Sequence, residues 1–239
     1  MNWRNPCRRL VEIFAAFWAL LLLAPVLLGT ALWILACDGR PVLFRQRRAG
    51  QGGKLFQILK FRTMVEHDTA PVITAAGDAR ITSLGKRLRR FKLDELPQLF
   101  NVLKGEMSLI GPRPEVPRFI DANNLFWQKV LQVKPGITDL ATLLFRDEEE
   151  LLASAPDPEE VYLQKILPVK LKLNVRYLTR RTWKSDLQLL WLTGRYSLFP
   201  QKFDRPRIAR WFGIAEPELM IRESPATPDR QELSIQGNR

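Results

Sequence analysis

The chain has 239 residues, and its 37 Lys and Arg against 25 Asp and Glu give a formal net charge of +12. This length suits one main catalytic domain and leaves little room for a second full domain. The charge indicates an anionic partner: nucleic acid, anionic lipid or a phosphorylated substrate. The single histidine, His67, argues against a Ser-His-Asp triad or a multi-histidine zinc site, so a carboxylate or cation is the expected catalytic group. Cys7 and Cys37 lack metal-ligand spacing and indicate no disulfide framework.

The first element is an uncharged apolar run over residues 13–37, long enough to span a hydrocarbon core of about 30 Å. Arginines flank both of its ends, and since positive charge stays cytoplasmic, both ends are expected on one side. Pro25 predicts a kink, and each half, about 12 residues or about 18 Å, can enter the bilayer without crossing it. A re-entrant hairpin fits these facts, and a single tilted spanning helix or a signal cleaved before Cys37 is the alternative.

Two strand-like runs follow, at residues 41–46 and 54–61. The glycine-rich residues 49–53 between them supply a turn, so a β-hairpin is predicted. The turn lacks the lysine-serine ending of a phosphate-binding P-loop. His67 lies in a polar stretch and is assigned no role.

Charged side chains suited to catalysis are most concentrated in residues 80–114, which read RITSLGKRLRRFKLDELPQLFNVLKGEMSLIGPRP. Apolar residues at helical spacing predict a short helix that begins near Asp94, carries Pro97 in its first turn and ends at Gly105. Asp94 and Glu95 then lie at the helix N-terminus. They either cap the helix and complement its dipole, or serve as catalytic carboxylates.

Cations surround this acidic pair. Arg87, Arg89, Arg90 and Lys92 precede it, and Arg113 is fixed between two prolines. Carboxylates that hold a metal such as Mg²⁺, with arginines that neutralise the remaining oxygens, suit a diphosphate substrate. A carboxylate can also attack phosphorus directly. For Arg87 and Arg90, a solvated face or a lipid-headgroup contact is the alternative.

Five segments form a specific set: KFRTM at 60–64, GDARIT at 77–82, LDELPQLFNVLKG at 93–105, MSLIGPRP at 107–114 and KPGIT at 134–138. This set closely resembles the bacterial sugar transferase family, the monotopic phosphoglycosyl transferases that start polysaccharide and glycoconjugate assembly on polyprenol phosphate. The resemblance covers roughly the first three quarters of the chain.

The resemblance implies that Asp94 is the nucleophile that takes a phosphosugar from a UDP-sugar and that Glu95, beside Asp94, holds Mg²⁺. UMP leaves first, and polyprenyl (undecaprenyl) phosphate then attacks the covalent intermediate. The residues implied to bind the substrate phosphates are Lys60, Arg89, Arg113 and Gln98. The implied break in the membrane helix is Ala24-Pro25, where Ser-Pro is commoner in the family.

The predicted architecture is a compact α+β fold, largely helical with a small hairpin. The re-entrant membrane helix occupies residues 1–40, the catalytic domain 41–200 and a partly disordered extension 201–239. The domain is expected on the cytoplasmic face of the bacterial inner membrane, in contact with membrane lipids and with downstream glycosyltransferases, but not with nucleic acid.

Two later segments carry weaker signals. Asp139 replaces a glycine found in many relatives and is interpreted as a subgroup marker that bears on sugar or nucleotide preference, whereas residues 147–150 also suit a solvated acidic helix start. Residues 161–191 predict basic amphipathic helices, which lie at a membrane surface or pack on the core.

Two rival functions remain. A membrane-tethered nucleic-acid or anionic-lipid binding protein explains the charge but leaves Asp94 and Glu95 unexplained. An inactive scaffold for other glycosyl enzymes is the other rival, and the intact acidic pair argues against it.

Overall fold

A computed structural model of the chain describes residues 6–65 and 73–215. His67 and the end of the predicted extension, residues 216–239, lie outside the described residues. The α+β class is confirmed, because helices predominate and the sheets are small. The helices are α1 (Pro6–Cys37), α2 (Ser83–Arg90), α3 (Gln98–Lys104), α4 (Leu125–Val130), α5 (Leu140–Leu144), α6 (Glu148–Ala153), α7 (Pro158–Val161), α8 (Leu167–Arg180), α9 (Trp183–Leu198) and α10 (Arg205–Trp211). The strands are β1 (Leu43–Ala49), β2 (Leu55–Phe61), β3 (Ser108–Ile110) and β4 (Gly136–Thr138).

The predicted hairpin is confirmed. Strands β1 and β2 pair antiparallel, with Leu43 opposite Phe61 and Ala49 opposite Leu55. A 3-10 turn at Gln51–Gly53 connects them, and Gly52 takes a φ of 67°, a conformation that costs glycine little. The first strand begins two residues later and continues to Ala49, three residues beyond its predicted end, so Arg48 lies within the hairpin.

A second, parallel pair joins distant segments of the chain. Ser108 of β3 pairs with Gly136 of β4, and the next loop crosses so closely that a Cβ on Gly136 would lie 2.0 Å from the Gly111 nitrogen. Such a distance between a Cβ and a backbone atom is far inside van der Waals contact, so only glycine fits there. This contact holds the segment that carries Arg113 against β4.

Helix α1 lies along the domain. By length and composition it could cross a membrane. Ala16 packs with Phe56 and Leu99, and Ile34 packs with Leu84, while the opposite face is exposed. The exposed large side chains of α1 are Leu10, Val11, Phe14, Phe17, Trp18, Leu21, Leu22, Val26, Leu28, Leu32, Trp33 and Leu35.

Both ends of α1 are attached to the same domain. At the first end, an Arg8 Nη2 donates to Asp186 Oδ2 at 2.5 Å. At the other end, the Thr82 hydroxyl donates to Asp38 Oδ2 at 2.8 Å. Between them the helix is uninterrupted at Ala24 and Pro25, so the structure shows a proline inside one helix rather than two separate half-helices. The re-entrant path through a bilayer stays a prediction.

The C-terminal helices contain the largest core. Helix α7 continues through a π-helical turn at Tyr162–Ile166 into α8, and the predicted helices of residues 161–191 are confirmed. The fully buried side chains of this core include Leu144, Leu152, Ile166, Leu189, Leu192 and Ile208. Ile208 belongs to α10, so folded structure continues past residue 200, the predicted domain boundary. Helix α9 also exposes Trp183, Leu187 and Trp191 on one face, so core packing and an apolar outer face coexist.

Replacing Gly136 with Ala should lower stability by about 3 kcal/mol or more, because the added methyl group meets backbone that cannot rotate away. The measurement is the thermal unfolding midpoint of the full chain in detergent. The matched control is Gly194→Ala on α9, where nothing lies within 4 Å of the new methyl group. That control should be neutral or gain up to about 1 kcal/mol from helix propensity. Equal midpoints for both variants would contradict the tight crossing.

Candidate active site

The segment that carries the acidic pair begins with an unusual backbone. Lys92 adopts a left-handed conformation with φ 56°, which is uncommon for a residue with a side chain. A 3-10 turn at Leu93–Glu95 follows, and α3 starts only after Pro97. The prediction that this helix begins near Asp94 is wrong, and of the two alternatives for Asp94 capping is excluded, because its side chain makes no capping hydrogen bond. The predicted end is confirmed, with Gly105 left-handed at φ 86°.

Asp94 and Glu95 are both buried, with 7% and 8% of their surfaces exposed. Glu95 is fully engaged: Arg113 donates from Nη2 to Oε1 at 2.7 Å and from Nη1 to Oε2 at 3.3 Å. The Lys60 ammonium lies 3.5 Å from Oε1. The hairpin, the 3-10 turn and the loop after β3 therefore meet at one carboxylate, which compensates two cations.

Asp94 and Gln98 contrast with Glu95. The Asp94 Oδ1 atom and both amide atoms of Gln98 are buried and make no hydrogen bond within the described structure. Gln98 has only 1% of its surface exposed. Buried polar atoms are nearly always paired, and unpaired ones cost free energy. Their concentration in one turn indicates a place where a polar ligand completes the hydrogen bonding.

The two carboxylates titrate differently. Burial and the neighbouring Glu95 raise the pKa of Asp94, against the opposing charges of Lys60 and Lys92. Burial also acts to raise the pKa of Glu95, but Arg113 and Lys60 outweigh it and hold that pKa well below its usual range. Burial, together with Arg113, lowers the pKa of Lys60 to about 8. Adjacent residues with pKa values moved apart are typical of catalytic sites.

Arg89 lies beside this centre but is occupied. Its Nη1 donates to Glu149 Oε1 at 2.8 Å, and its Nε donates to the Thr63 hydroxyl at 3.1 Å. Its positive charge opposes, but does not cancel, the rise in the pKa of Asp94. The structure therefore brings Lys60 and Arg113 to Glu95, keeps Gln98 buried one turn along the chain from Asp94, and pairs Arg89 with Glu149.

Three residues that form a polar network next to Arg113 were not identified from the sequence: Arg48, Glu115 and Tyr162. Arg48 of β1 lies 3.6 Å from Glu115 Oε2 and donates to the Pro114 carbonyl at 3.2 Å, next to Arg113. The Tyr162 hydroxyl donates to Glu115 Oε1 at 2.5 Å. Arg45 and Arg47 are exposed while Arg48 is half-buried, and this alternation along the strand is the signal that could have singled it out.

The two weaker signals have structural explanations. Asp139 is buried and caps α5, since Oδ1 accepts from the Thr142 backbone at 2.8 Å and Oδ2 from its hydroxyl at 2.6 Å. Its link to sugar preference stays a prediction. The acidic start of α6 is ion-paired rather than merely solvated, since Glu148 lies 2.7 Å from Lys170.

The two adjacent carboxylates fit a Mg²⁺ ion that substrate oxygens help to hold. In the described part of the chain no three His, Cys, Asp or Glu side chains cluster as a metal site. Magnesium, however, is usually held by one or two carboxylates plus substrate phosphates and water. Asp94 offers a buried oxygen without a hydrogen bond, and Glu95 stands next to it.

Replacing each carboxylate with the corresponding amide should change stability in opposite directions. The folded-state pKa of Asp94 lies above its unfolded value, so its ionised form costs stability at every pH above the folded pKa. Asp94→Asn should therefore stabilise the protein at pH 7, because the amide removes a buried charge that its surroundings do not fully compensate. Glu95→Gln should destabilise it by about 3 kcal/mol, because two half-buried cations lose their counter-charge. Thermal unfolding in detergent measures both, and shifts of the same sign would contradict this asymmetry.

Comparison with known proteins agrees with this geometry. The profile described as bacterial sugar transferase matches residues 3–199. The chain is 45% identical over 139 residues to the UDP-glucose:undecaprenyl-phosphate glucose-1-phosphate transferase of Caulobacter vibrioides, which is 56% of this chain and 52% of that protein. It is 42% identical over 142 residues to the UDP-N-acetylgalactosamine-undecaprenyl-phosphate N-acetylgalactosaminephosphotransferase of Aeromonas hydrophila, at 57% of this chain and 34% of that protein.

The matches to these two relatives therefore span about half of their length or less. A shorter relative, the uncharacterized sugar transferase EpsL of Bacillus subtilis, is 33% identical over 188 residues, which is 79% of this chain and 85% of that protein. The resemblance of the five motifs is confirmed, and the chain belongs to the bacterial sugar transferase family.

Proposed function

We propose that this protein transfers a sugar-1-phosphate from a UDP-sugar to undecaprenyl phosphate, releases UMP, and forms a covalent phosphosugar on Asp94 between the two steps. The observation that carries the proposal is the buried, unbonded Oδ1 of Asp94 beside a carboxylate that already compensates two cations. The relatives named for undecaprenyl-phosphate transfer support the substrate class.

In the first step, an Asp94 carboxylate oxygen attacks the phosphorus that bears the sugar. The oxygen–phosphorus bond forms, the bond between the two phosphates breaks, and its electron pair leaves on the phosphate of UMP. Lys60 and Arg113 hold positive charge within reach of the centre, where it can stabilise charge that moves to the leaving phosphate. The reaction therefore requires Asp94 ionised and Lys60 protonated.

In the second step, a phosphate oxygen of the polyprenyl acceptor attacks the same phosphorus. The bond to Asp94 breaks, and its electron pair returns to the carboxylate, which is restored for the next cycle. The unpaired amide of Gln98, one turn away on α3, is placed to hydrogen-bond phosphate oxygens in either step.

We assign the predicted Mg²⁺ to Glu95 and Asp94, together with substrate oxygens. When bound there, it would neutralise negative charge on the diphosphate and allow a carboxylate to approach it. Arg113 already uses both oxygens of Glu95, so that carboxylate has limited capacity left, and Asp94 Oδ1 is the unoccupied donor.

The membrane placement follows from α1. Both of its ends are attached to one domain, and its outer face is apolar along the whole length. A helix that crossed the bilayer straight would carry its two ends to opposite sides, about 48 Å apart for 32 residues. These contacts argue against a straight crossing and support both ends lying on the same side of the membrane, which we propose is the cytoplasmic face of the inner membrane because positively charged flanks stay there.

The direct test is UMP release by the purified full chain with Mg²⁺, undecaprenyl phosphate and either UDP-glucose or UDP-N-acetylgalactosamine. We expect release with one donor, dependent on the lipid acceptor for sustained turnover. Asp94→Asn should lower the rate by at least about a thousandfold, because an amide is no nucleophile. Asp121→Asn, an equal change at an exposed aspartate, serves as the control and should retain the wild-type rate.

If neither donor releases UMP, the proposed transfer is contradicted. If Asp94→Asn keeps the wild-type rate, the covalent step is contradicted, and the sugar phosphate passes directly from donor to acceptor.

The charge states predict a bell-shaped dependence of kcat/KM on pH. Activity should fall on the acid side as Asp94 is protonated, at a pH above that of an ordinary aspartate because its pKa is raised. It should fall on the alkaline side near pH 8, where Lys60 loses its proton. Lys60→Arg keeps the charge and should move the alkaline limb to higher pH. An alkaline limb that stays in place in this variant would show that another group causes it.

A further inference from the structure

A second basic cavity lies away from the acidic pair. It has a volume of about 1080 Å³ and opens between the hairpin turn, the C-terminal end of α3 and the segment after α4. Its charged lining residues are Lys54, Lys104, Glu106 and Lys134. We call this cavity the lysine groove. Lys54 precedes β2 and Lys60 is near its other end, so about 20 Å of strand separates the groove from the site at Glu95.

The three lysines of the lysine groove have no ion-pair partner among the described residues. Glu106, which also lines it, accepts a hydrogen bond from Asn101 at 2.7 Å. Arg9 of α1 adds a fourth cation at the edge of the groove, where it lies 3.6 Å from Glu12 and donates to the Met107 and Val102 carbonyls. A Cβ on Gly105 would lie 3.6 Å from Arg9 Nη2 and 3.7 Å from Lys134 Nζ, so the two cations converge on one point.

Two like charges that converge repel each other, and Glu12 compensates this repulsion only in part. Burial and the Arg9 guanidinium lower the pKa of Lys134, while Glu12 opposes them only partly. An anionic group bound between Arg9 and Lys134 would reverse this penalty. A phosphate suits the position, because it accepts several charge-assisted hydrogen bonds at once.

The surroundings of the lysine groove are apolar and exposed. Leu55 lines it with 57% of its surface exposed. Phe100 lies four residues before Lys104 on α3 and is 47% exposed, and Leu125 shares a face of α4 with the lining residue Gln128 and is 70% exposed. Arg9 is followed on α1 by Leu10, which is 66% exposed. A soluble phosphate compound would leave these apolar side chains exposed to water. A lipid has a charged headgroup for the lysines and apolar chains that can cover them.

We propose that the lysine groove binds the phosphate headgroup of an anionic phospholipid, with Lys104, Lys134 and Arg9 around the phosphate and the acyl chains against Leu55, Phe100 and α1. The bound lipid fixes the end of α1 and the α3 end of the domain at one depth in the headgroup layer. This site is independent of the transfer reaction, since it shares no residue with the acidic pair or its cations.

The test uses the full chain in neutral dodecyl maltoside micelles, titrated with phosphatidylglycerol or with phosphatidylcholine of the same chains. Thermal unfolding reports stabilisation, and native mass spectrometry counts the lipid retained. We expect a saturable rise of the unfolding midpoint and one retained lipid with phosphatidylglycerol, and neither with phosphatidylcholine. Lys104→Gln/Lys134→Gln should weaken this binding at least about tenfold, since each lysine near an anionic headgroup contributes a several-fold factor.

The matched control is Lys129→Gln/Lys172→Gln, which removes the same charge from two exposed lysines outside the groove. It should bind like the wild type. Equal binding by the two double variants, or an equal response to phosphatidylcholine, would overturn the proposal. A midpoint shift reproduced by inorganic phosphate alone would overturn the lipid as the ligand. The wild-type comparison of the two lipids decides the question even if the groove variant fails to fold.

Discussion

The burial of two adjacent carboxylates is the constraint on which the rest of the site depends. Neither could stay ionised away from water without nearby positive charge. Arg113 and Lys60 supply that charge to Glu95, whose pKa is held low, and leave Asp94 with a raised pKa and a free oxygen. The same asymmetry that costs stability at Asp94 gives a carboxylate that is poorly solvated and poorly bonded, which is the condition of a reactive nucleophile.

Three backbone features hold the acidic pair, Lys60 and Arg113 at these distances. The left-handed Lys92 turns the chain so that the pair faces inward, and the hairpin brings Lys60 from the other side. The close contact of Gly111 with Gly136 fixes the segment that carries Arg113 against β4. The guanidinium of Arg113 therefore meets the Glu95 carboxylate in one orientation. Positioning by rigid backbone rather than by flexible loops suits electrostatic stabilisation of a phosphoryl transfer.

Local features could be predicted from the sequence, and long-range ones could not. The hairpin and the helix end at Gly105 follow from glycine chemistry in short windows. The resemblance selected Asp94, Glu95, Lys60 and Arg113, but no pattern showed that both cations converge on Glu95. The helix was predicted to begin near Asp94 because Asp is a common N-cap, yet a 3-10 turn precedes α3, which begins at Gln98. Arg48 was missed for a similar reason, since its partner Glu115 is distant in sequence.

The covalent phosphosugar on Asp94 is the central claim, and mass spectrometry tests it most directly. The full chain would be incubated with Mg²⁺ and its UDP-sugar, without the lipid acceptor, then quenched in acid and digested. We expect a mass increase of one sugar phosphate on the peptide that contains Asp94, and its loss when undecaprenyl phosphate is added before the quench. Complete turnover in the full mixture with no adduct at Asp94, or an adduct on another residue, would contradict the claim.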